Sequence, residues 1–78
     1  MSKADKMFKE LFYDKIGENT YITYERYGNN KMYFIELEFN NKNLSFKKQY
    51  QDGKPADIEI QELQAINEKV KELGWLDE

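Results

Sequence analysis

The chain has 78 residues, a net charge of −3, and no histidine or cysteine. A chain this short needs its whole apolar surface for one core, so we predict a single domain over residues 1–78. The two missing residue types exclude a Ser-His-Asp triad, a cysteine nucleophile, a thiolate zinc site and a disulfide scaffold. The few glycines are scattered rather than grouped into a phosphate-binding loop. We therefore expect no enzymatic activity and no cofactor or metal.

Hydropathy and charge indicate a cytoplasmic protein. No apolar run approaches the ~20 residues that cross a bilayer, and no charged-then-apolar leader is visible, so we expect neither a membrane span nor a signal peptide. Residues 1–50 carry nine Lys/Arg and seven Asp/Glu, whereas residues 51–78 carry three and eight. This acidic bias disfavours nucleic acid as the main partner.

An amphipathic pattern over residues 2–12 predicts a first helix. Ser2 suits the N-cap position, with Asp5 three residues later. The apolar residues at helical spacing are Ala4, Met7, Phe8, Leu11 and Phe12. The next stretch, residues 13–16, is interpreted as a short strand or only a bridge.

Three aromatic and β-branched runs predict an antiparallel meander, because two four-residue polar loops join them. The runs are Thr20–Tyr27, Met32–Phe39 and Leu44–Tyr50. Symmetric loop closure places Leu37 opposite both Ile22 and Phe46, and Tyr33 opposite Tyr50. This register gives one apolar face, made of Ile22, Tyr24, Ile35, Leu37, Phe39, Leu44 and Phe46.

The last quarter of the chain predicts a second amphipathic helix that begins at Ile60 and stops at Gly74. Its core-facing stripe is predicted to be Ile60, Leu63, Ile66, Val70 and Leu73, with Glu62 and Lys69 among the residues facing water. Gly74 suits a left-handed helix stop, which would fold Trp75 back as a seal on the core. Before this helix, Asp52-Gly53 predicts a tight turn.

The predicted fold class is α+β, in the order α-β-β-β-α. The antiparallel meander has three strands, or four if residues 13–16 pair, and the C-terminal helix packs on one face. The first helix either joins the second helix on that face or covers the opposite face.

The opposite sheet face carries more aromatic surface than a solvated face should. Its candidate binding residues are Tyr21, Tyr27, Met32 and Phe34. Two structural explanations are that the first helix packs there or that the face pairs in a homodimer. The functional alternatives are binding of a partner protein, or stacking of single-stranded bases with Arg26, Lys47 and Lys48 as phosphate contacts. Glu36 and Glu38 share this face, and we interpret them as solvated acids opposite Lys47 rather than as a catalytic pair.

Two phrases of the chain resemble a family of proteins. They are KADKMFKELFYDKI near the start and QELQAINEKVKELGW near the end. In this respect the chain is similar to small uncharacterised proteins encoded in phages and prophages of low-GC Gram-positive bacteria. Phe12 stands where that pattern has a glycine, which leaves open a first helix that runs one residue longer.

The resemblance implies a shared fold and origin but transfers no active site. Together with the aromatic face, it leads us to expect a non-enzymatic accessory protein that binds an unidentified host or phage protein.

Overall fold

A computed structural model of the protein describes residues 2–18, 21–28, 30–40 and 43–75, without the side chains of Glu18, Phe39 and Asn40. The elements are α1 (Lys3–Glu10), β1 (Asp14–Glu18), β2 (Tyr21–Gly28), β3 (Lys31–Asn40), β4 (Asn43–Tyr50) and α2 (Ile60–Glu72). This order confirms the predicted α+β meander, and β1 supplies its fourth strand. Two predicted features lie outside the described residues: Thr20, where the first of the three predicted strand runs starts, and the core side chain of Phe39.

The four strands form one antiparallel sheet in the order β1-β2-β3-β4. The predicted register is confirmed: Leu37 pairs with Ile22 on one side and with Phe46 on the other. The strands run further into the loops than predicted, because pairing continues to Gly28 opposite Lys31. Asn30 accommodates the tight reversal with a left-handed φ of 61°, a conformation that asparagine adopts more readily than most residues.

Both helices pack on the same face of the sheet, which we call the inner face. Strand alternation and the register place on it Ile22, Tyr24, Arg26, Tyr33, Ile35, Leu37, Phe46 and Lys48. The ring of Phe8 in α1 stacks on Tyr24 with centroids 3.7 Å apart. From α2, the Glu62 carboxylate accepts a hydrogen bond from Lys48 at 2.9 Å. The first helix therefore joins the second, and no described helix covers the opposite, outer face.

The core lies between this helix layer and the inner face. Its buried members are Phe8, Tyr13, Ile22, Tyr24, Ile35, Leu37, Ala65, Ile66 and Val70. Three aromatic side chains supply much of its volume, as expected for a short chain that must bury large residues.

The buried stripe of α2 differs from the predicted one. Ile60 is 70% exposed and Leu63 and Leu73 are also exposed, whereas Glu62 and Lys69 are buried. The prediction that these two charged residues face water is wrong, as is the burial of Ile60, Leu63 and Leu73. The helix is rotated because the two charges have partners in the interior, which a pattern of apolar residues does not reveal.

The C-terminus of α2 has the predicted geometry. Gly74 takes a left-handed φ of 72°, and the Trp75 N–H donates to the Val70 carbonyl at 3.1 Å. This Schellman arrangement turns Trp75 back onto the core, against which it is partly buried. The predicted turn at Asp52-Gly53 is also confirmed, with Gly53 at a φ of 87°.

The end of α1 uses the same motif with a phenylalanine in the glycine position. Phe12 has a φ of 70°, and its side chain is 80% exposed. The Tyr13 N–H donates to the Phe8 carbonyl at 2.9 Å, so the chain leaves the helix there. A helix extended by one residue is therefore wrong: α1 ends at Glu10.

We expect Phe12→Gly to raise the free energy of unfolding by about 1 kcal/mol. A bulky side chain in the left-handed region is strained, and this one gains little from packing. Urea unfolding measures the change. Lys6→Gly, at an exposed position inside α1, should instead lower the free energy of unfolding by about 1 kcal/mol. Equal effects of the two substitutions would contradict the claim that Phe12 is strained.

Candidate functional site

The outer face is the candidate functional site, because it combines aromatic and acidic side chains without a covering helix among the described residues. Alternation along β2, β3 and β4 places on it Tyr21, Thr23, Glu25, Tyr27, Met32, Phe34, Glu36, Glu38, Ser45, Lys47 and Gln49. The four predicted binding residues are all on this face. They do not, however, form one cluster.

Three of them lie at one end of the face and form what we call the apolar end. Tyr27 pairs directly with Met32 across the two central strands, and Phe34 follows Met32 on the same face of β3. Tyr27 is 67% exposed, whereas the other two are half-buried. Direct and diagonal cross-strand neighbours are within reach of one another, so the three side chains form one apolar region of the face.

Tyr21 lies at the opposite end of the face. It is six positions from Tyr27 on β2, which is about 20 Å at roughly 3.3 Å per residue. Its partner across the strands is Glu38, with Ser45 on the far side. Tyr21 therefore shares the predicted face with the other three candidate residues but lies apart from them along it.

The surroundings of Tyr21 are acidic, and we call this region the acidic end. Glu36 and Glu38 line a shallow depression of about 460 Å³ together with Tyr21, Ser45, Phe46 and Lys47. Lys47 lies 3.5 Å from the Glu36 carboxylate, as the predicted pairing of these residues requires. The charge of Glu38 and a hydrogen bond to it raise the pKa of the Tyr21 phenol, which reports a negative potential at this end.

Two of the three cations proposed as nucleic-acid contacts are on the wrong face for that role. Arg26 lies on the inner face between the rings of Tyr13 and Tyr33, 4.8 and 4.9 Å from their centroids. Lys48 is also on the inner face and is only 5% exposed. Of the three, Lys47 alone shares the outer face with the aromatic residues. Arg26 and Lys48 therefore do not share a face with the aromatic residues on which bases were predicted to stack.

Lys48 is held inside by a buried network centred on Glu62, which the sequence analysis missed. The Glu62 carboxylate accepts hydrogen bonds from the Tyr13 hydroxyl at 2.6 Å, Lys48 at 2.9 Å and the Glu59 N–H at 2.8 Å. Arg26 lies 3.9 Å from the same carboxylate. Burial alone would raise the pKa of Glu62, but these hydrogen bonds and the charge of Lys48 lower it. Burial and the Glu62 charge raise the pKa of Tyr13.

One signal could have found this network. The predicted register already placed Lys48 two residues after Phe46, and therefore on the inner face. A lysine there requires an acidic partner from the covering helix, because an unpaired buried charge is too costly. Glu62 is the acid that α2 supplies.

A second polar network joins the two helices to β1 and β2 around Asp5. Its carboxylate accepts hydrogen bonds from the Tyr24 hydroxyl at 2.7 Å, Lys69 at 3.2 Å and Lys15 at 3.3 Å. Burial would raise the pKa of Asp5, but the hydrogen bonds from Tyr24 and Lys69 outweigh it and lower the pKa to about 2. The network fixes α1 to the inner face.

We expect Asp5 to make the fold sensitive to acid. Its pKa is 3.8 in the ordinary state and about 2 in the fold. A carboxyl whose pKa is lower in the folded state stabilises the fold above the unfolded value, and this contribution is lost as the pH falls through the folded value. Asp5 should therefore contribute about 2 kcal/mol near neutral pH, lost between about pH 5 and about pH 2.

Urea unfolding of Asp5→Asn across that pH range tests the assignment. The variant should be less stable than the wild type near neutral pH and approach it in acid. Asp57→Asn, at an exposed position, should follow the wild type throughout. If Asp5→Asn runs parallel to the wild type at every pH, the titration of Asp5 is not linked to folding.

Comparisons of the chain with known protein families, curated proteins and solved structures found no match. In the described part of the chain, neither helix has the length and apolar character needed to cross a membrane.

Proposed function

We propose that the protein is a small non-enzymatic accessory protein, encoded by a phage or prophage, that acts in the cytoplasm by binding a host or phage protein through its outer face. One observation carries the binding proposal. Both helices pack on the inner face, and no described helix covers the apolar end of the outer face. The phage origin and the compartment rest on the resemblance and composition of the sequence.

The apolar end supports a binding role through its physical character. Exposed aromatic surface costs free energy in water, and burial recovers about 25 cal/mol for each Å² removed. Tyrosine, phenylalanine and methionine are enriched in protein interfaces because they offer large contact areas. Tyr27, Met32 and Phe34 are these residue types, side by side on a rigid sheet rather than on a loop.

The charges of the outer face favour a protein over a nucleic acid. Stacking of single-stranded bases needs cations that track the phosphates. Arg26 and Lys48 are committed to the inner face, and Lys47 pairs with Glu36. Three glutamates on β2 and β3 would repel a polyanion. A homodimer through the same face remains an alternative outcome of the experiment below.

Site-specific photo-cross-linking tests the proposal. Benzoylphenylalanine replaces Tyr27 or, as a control, Phe12, which is also an exposed aromatic residue but lies outside the outer face. The chain is expressed in cells that carry its gene. We expect one discrete protein adduct from position 27, none of that mass from position 12, and loss of the adduct in the Phe34→Glu background.

The identity and specificity of the adduct decide the result. An adduct between two copies of the chain would identify a homodimer as the occupant. An adduct that forms only at position 12, or one that persists with Phe34→Glu in a folded chain, would contradict binding through the apolar end.

A further inference from the structure

The acidic end of the outer face differs in chemistry from the apolar end. On β2, β3 and β4 the outer face carries three glutamates, Glu25, Glu36 and Glu38, against one lysine, Lys47. The net charge of the outer face on these three strands is therefore −2, from three negative charges and one positive. Two of the glutamates line the depression beside Tyr21. Among the described outer-face residues of these three strands, no further cation balances this charge.

The depression offers two carboxylate acceptors and an aromatic residue to a planar cation. Glu36 and Glu38 are on the same face of β3, roughly 7 Å apart along the strand. Tyr21 pairs with Glu38 across the strands and also lines the depression. A guanidinium offers a rigid fork of N–H donors to carboxylates and also stacks on aromatic rings, whereas an ammonium group is a point charge that matches only part of this arrangement.

We propose that the partner protein presents an arginine side chain to this depression, where it binds Glu36 and Glu38 and packs against Tyr21. The inference rests on the proposed function, because it describes the partner of the same face. The apolar end holds the partner by burial. The acidic end begins at Glu36, about 7 Å along β3 from Phe34, and selects partners that carry a cation beside the apolar contact.

Charge complementarity disfavours the other occupants. A second copy of the chain would bring together two faces that each carry a net charge of −2 on β2, β3 and β4. A single strand of nucleic acid would place phosphates beside the same carboxylates. Like charges in contact cost free energy, and this cost acts against the wrong partners.

A titration of the full-length chain, followed by two-dimensional amide NMR, tests the inference. The probes are a blocked peptide of alternating leucine and arginine and the same peptide with citrulline, which keeps the shape of arginine but lacks its charge. We expect the arginine peptide to shift the amides of Tyr21, Glu36 and Glu38, and the citrulline peptide to bind about tenfold more weakly.

Two matched double variants locate the effect. Glu36→Gln with Glu38→Gln should weaken binding of the arginine peptide about tenfold, and the variant should no longer bind arginine in preference to citrulline. Glu10→Gln with Asp57→Asn changes the net charge equally at exposed positions outside the outer face. This control should keep the wild-type preference for arginine.

The outcomes separate this inference from the proposed function. If both peptides bind equally well and shift only Met32 and Phe34, the arginine site is wrong while binding at the apolar end survives. Shifts that grow with protein concentration alone would assign the acidic end to a second copy. Stronger shifts with oligothymidylate than with the arginine peptide would assign it to nucleic acid. Either result overturns the inference, and the cross-link at Tyr27 tests the proposed function independently.

Discussion

Replacing Glu62 by glutamine should lower the free energy of unfolding by about 3 kcal/mol, because two cations would lose their buried counter-charge. Lys48 and Arg26 both face this carboxylate. The amide keeps the size of the side chain and can still accept from Lys48, while its NH₂ group donates to the Tyr13 hydroxyl. The substitution therefore isolates the charge. A domain of this length has a total stability of about 4 to 12 kcal/mol, so the loss is a large fraction.

Urea unfolding with a matched control on the same helix measures the effect. Glu68→Gln removes an acid that pairs with Lys3 and Lys71 at 3.9 Å near the surface, and should cost less than about 1 kcal/mol. Adding Lys48→Met to Glu62→Gln should restore part of the lost stability, because the buried cation is then absent. If Glu62→Gln costs no more than Glu68→Gln, the interior ion pair is not isolated from solvent.

The sheet could be predicted from the sequence because it depends on patterns between residues that are close together in the chain. Alternation along each strand and the polar loops between strands restrict the pairing to one register, and a slip of one residue would mix the faces. The helix stops at Gly74 and Phe12 follow from the same kind of short-range geometry. Only the stop at Gly74 is predicted by the sequence, because glycine is the usual signal for a left-handed residue and phenylalanine is not.

The rotation of α2 and the placement of α1 could not be predicted in this way. Burial of Glu62 depends on Lys48, and burial of Lys69 depends on Asp5; both partners are distant in sequence. A helical pattern counts Glu62 and Lys69 as polar and therefore places them on the solvent side. The outer face remains open because α1 packs against Tyr24 and Asp5 joins both helices. These contacts are tertiary, so the sequence left both positions of α1 open.

Two phenylalanines on opposite sides of the sheet provide the strongest test of this arrangement. Phe8→Ala should cost about 4 kcal/mol, because its ring is fully buried, stacks 3.7 Å from Tyr24 and leaves a cavity when removed. Phe34→Ala should cost about 1 kcal/mol, since its ring is half-buried on a face that no described helix covers. Thermal and urea unfolding of both variants compare the same substitution on a covered face and an open one.

The comparison also separates stability from binding at the outer face. If Phe34→Ala costs as much as Phe8→Ala, the outer face is covered in solution. A midpoint of unfolding that rises with protein concentration would then identify a second copy as the cover. With the expected small cost, Phe34→Ala remains folded and can be used directly in the cross-linking experiment. A lost adduct then reports the loss of an interface contact, because the inner face and its core are unchanged.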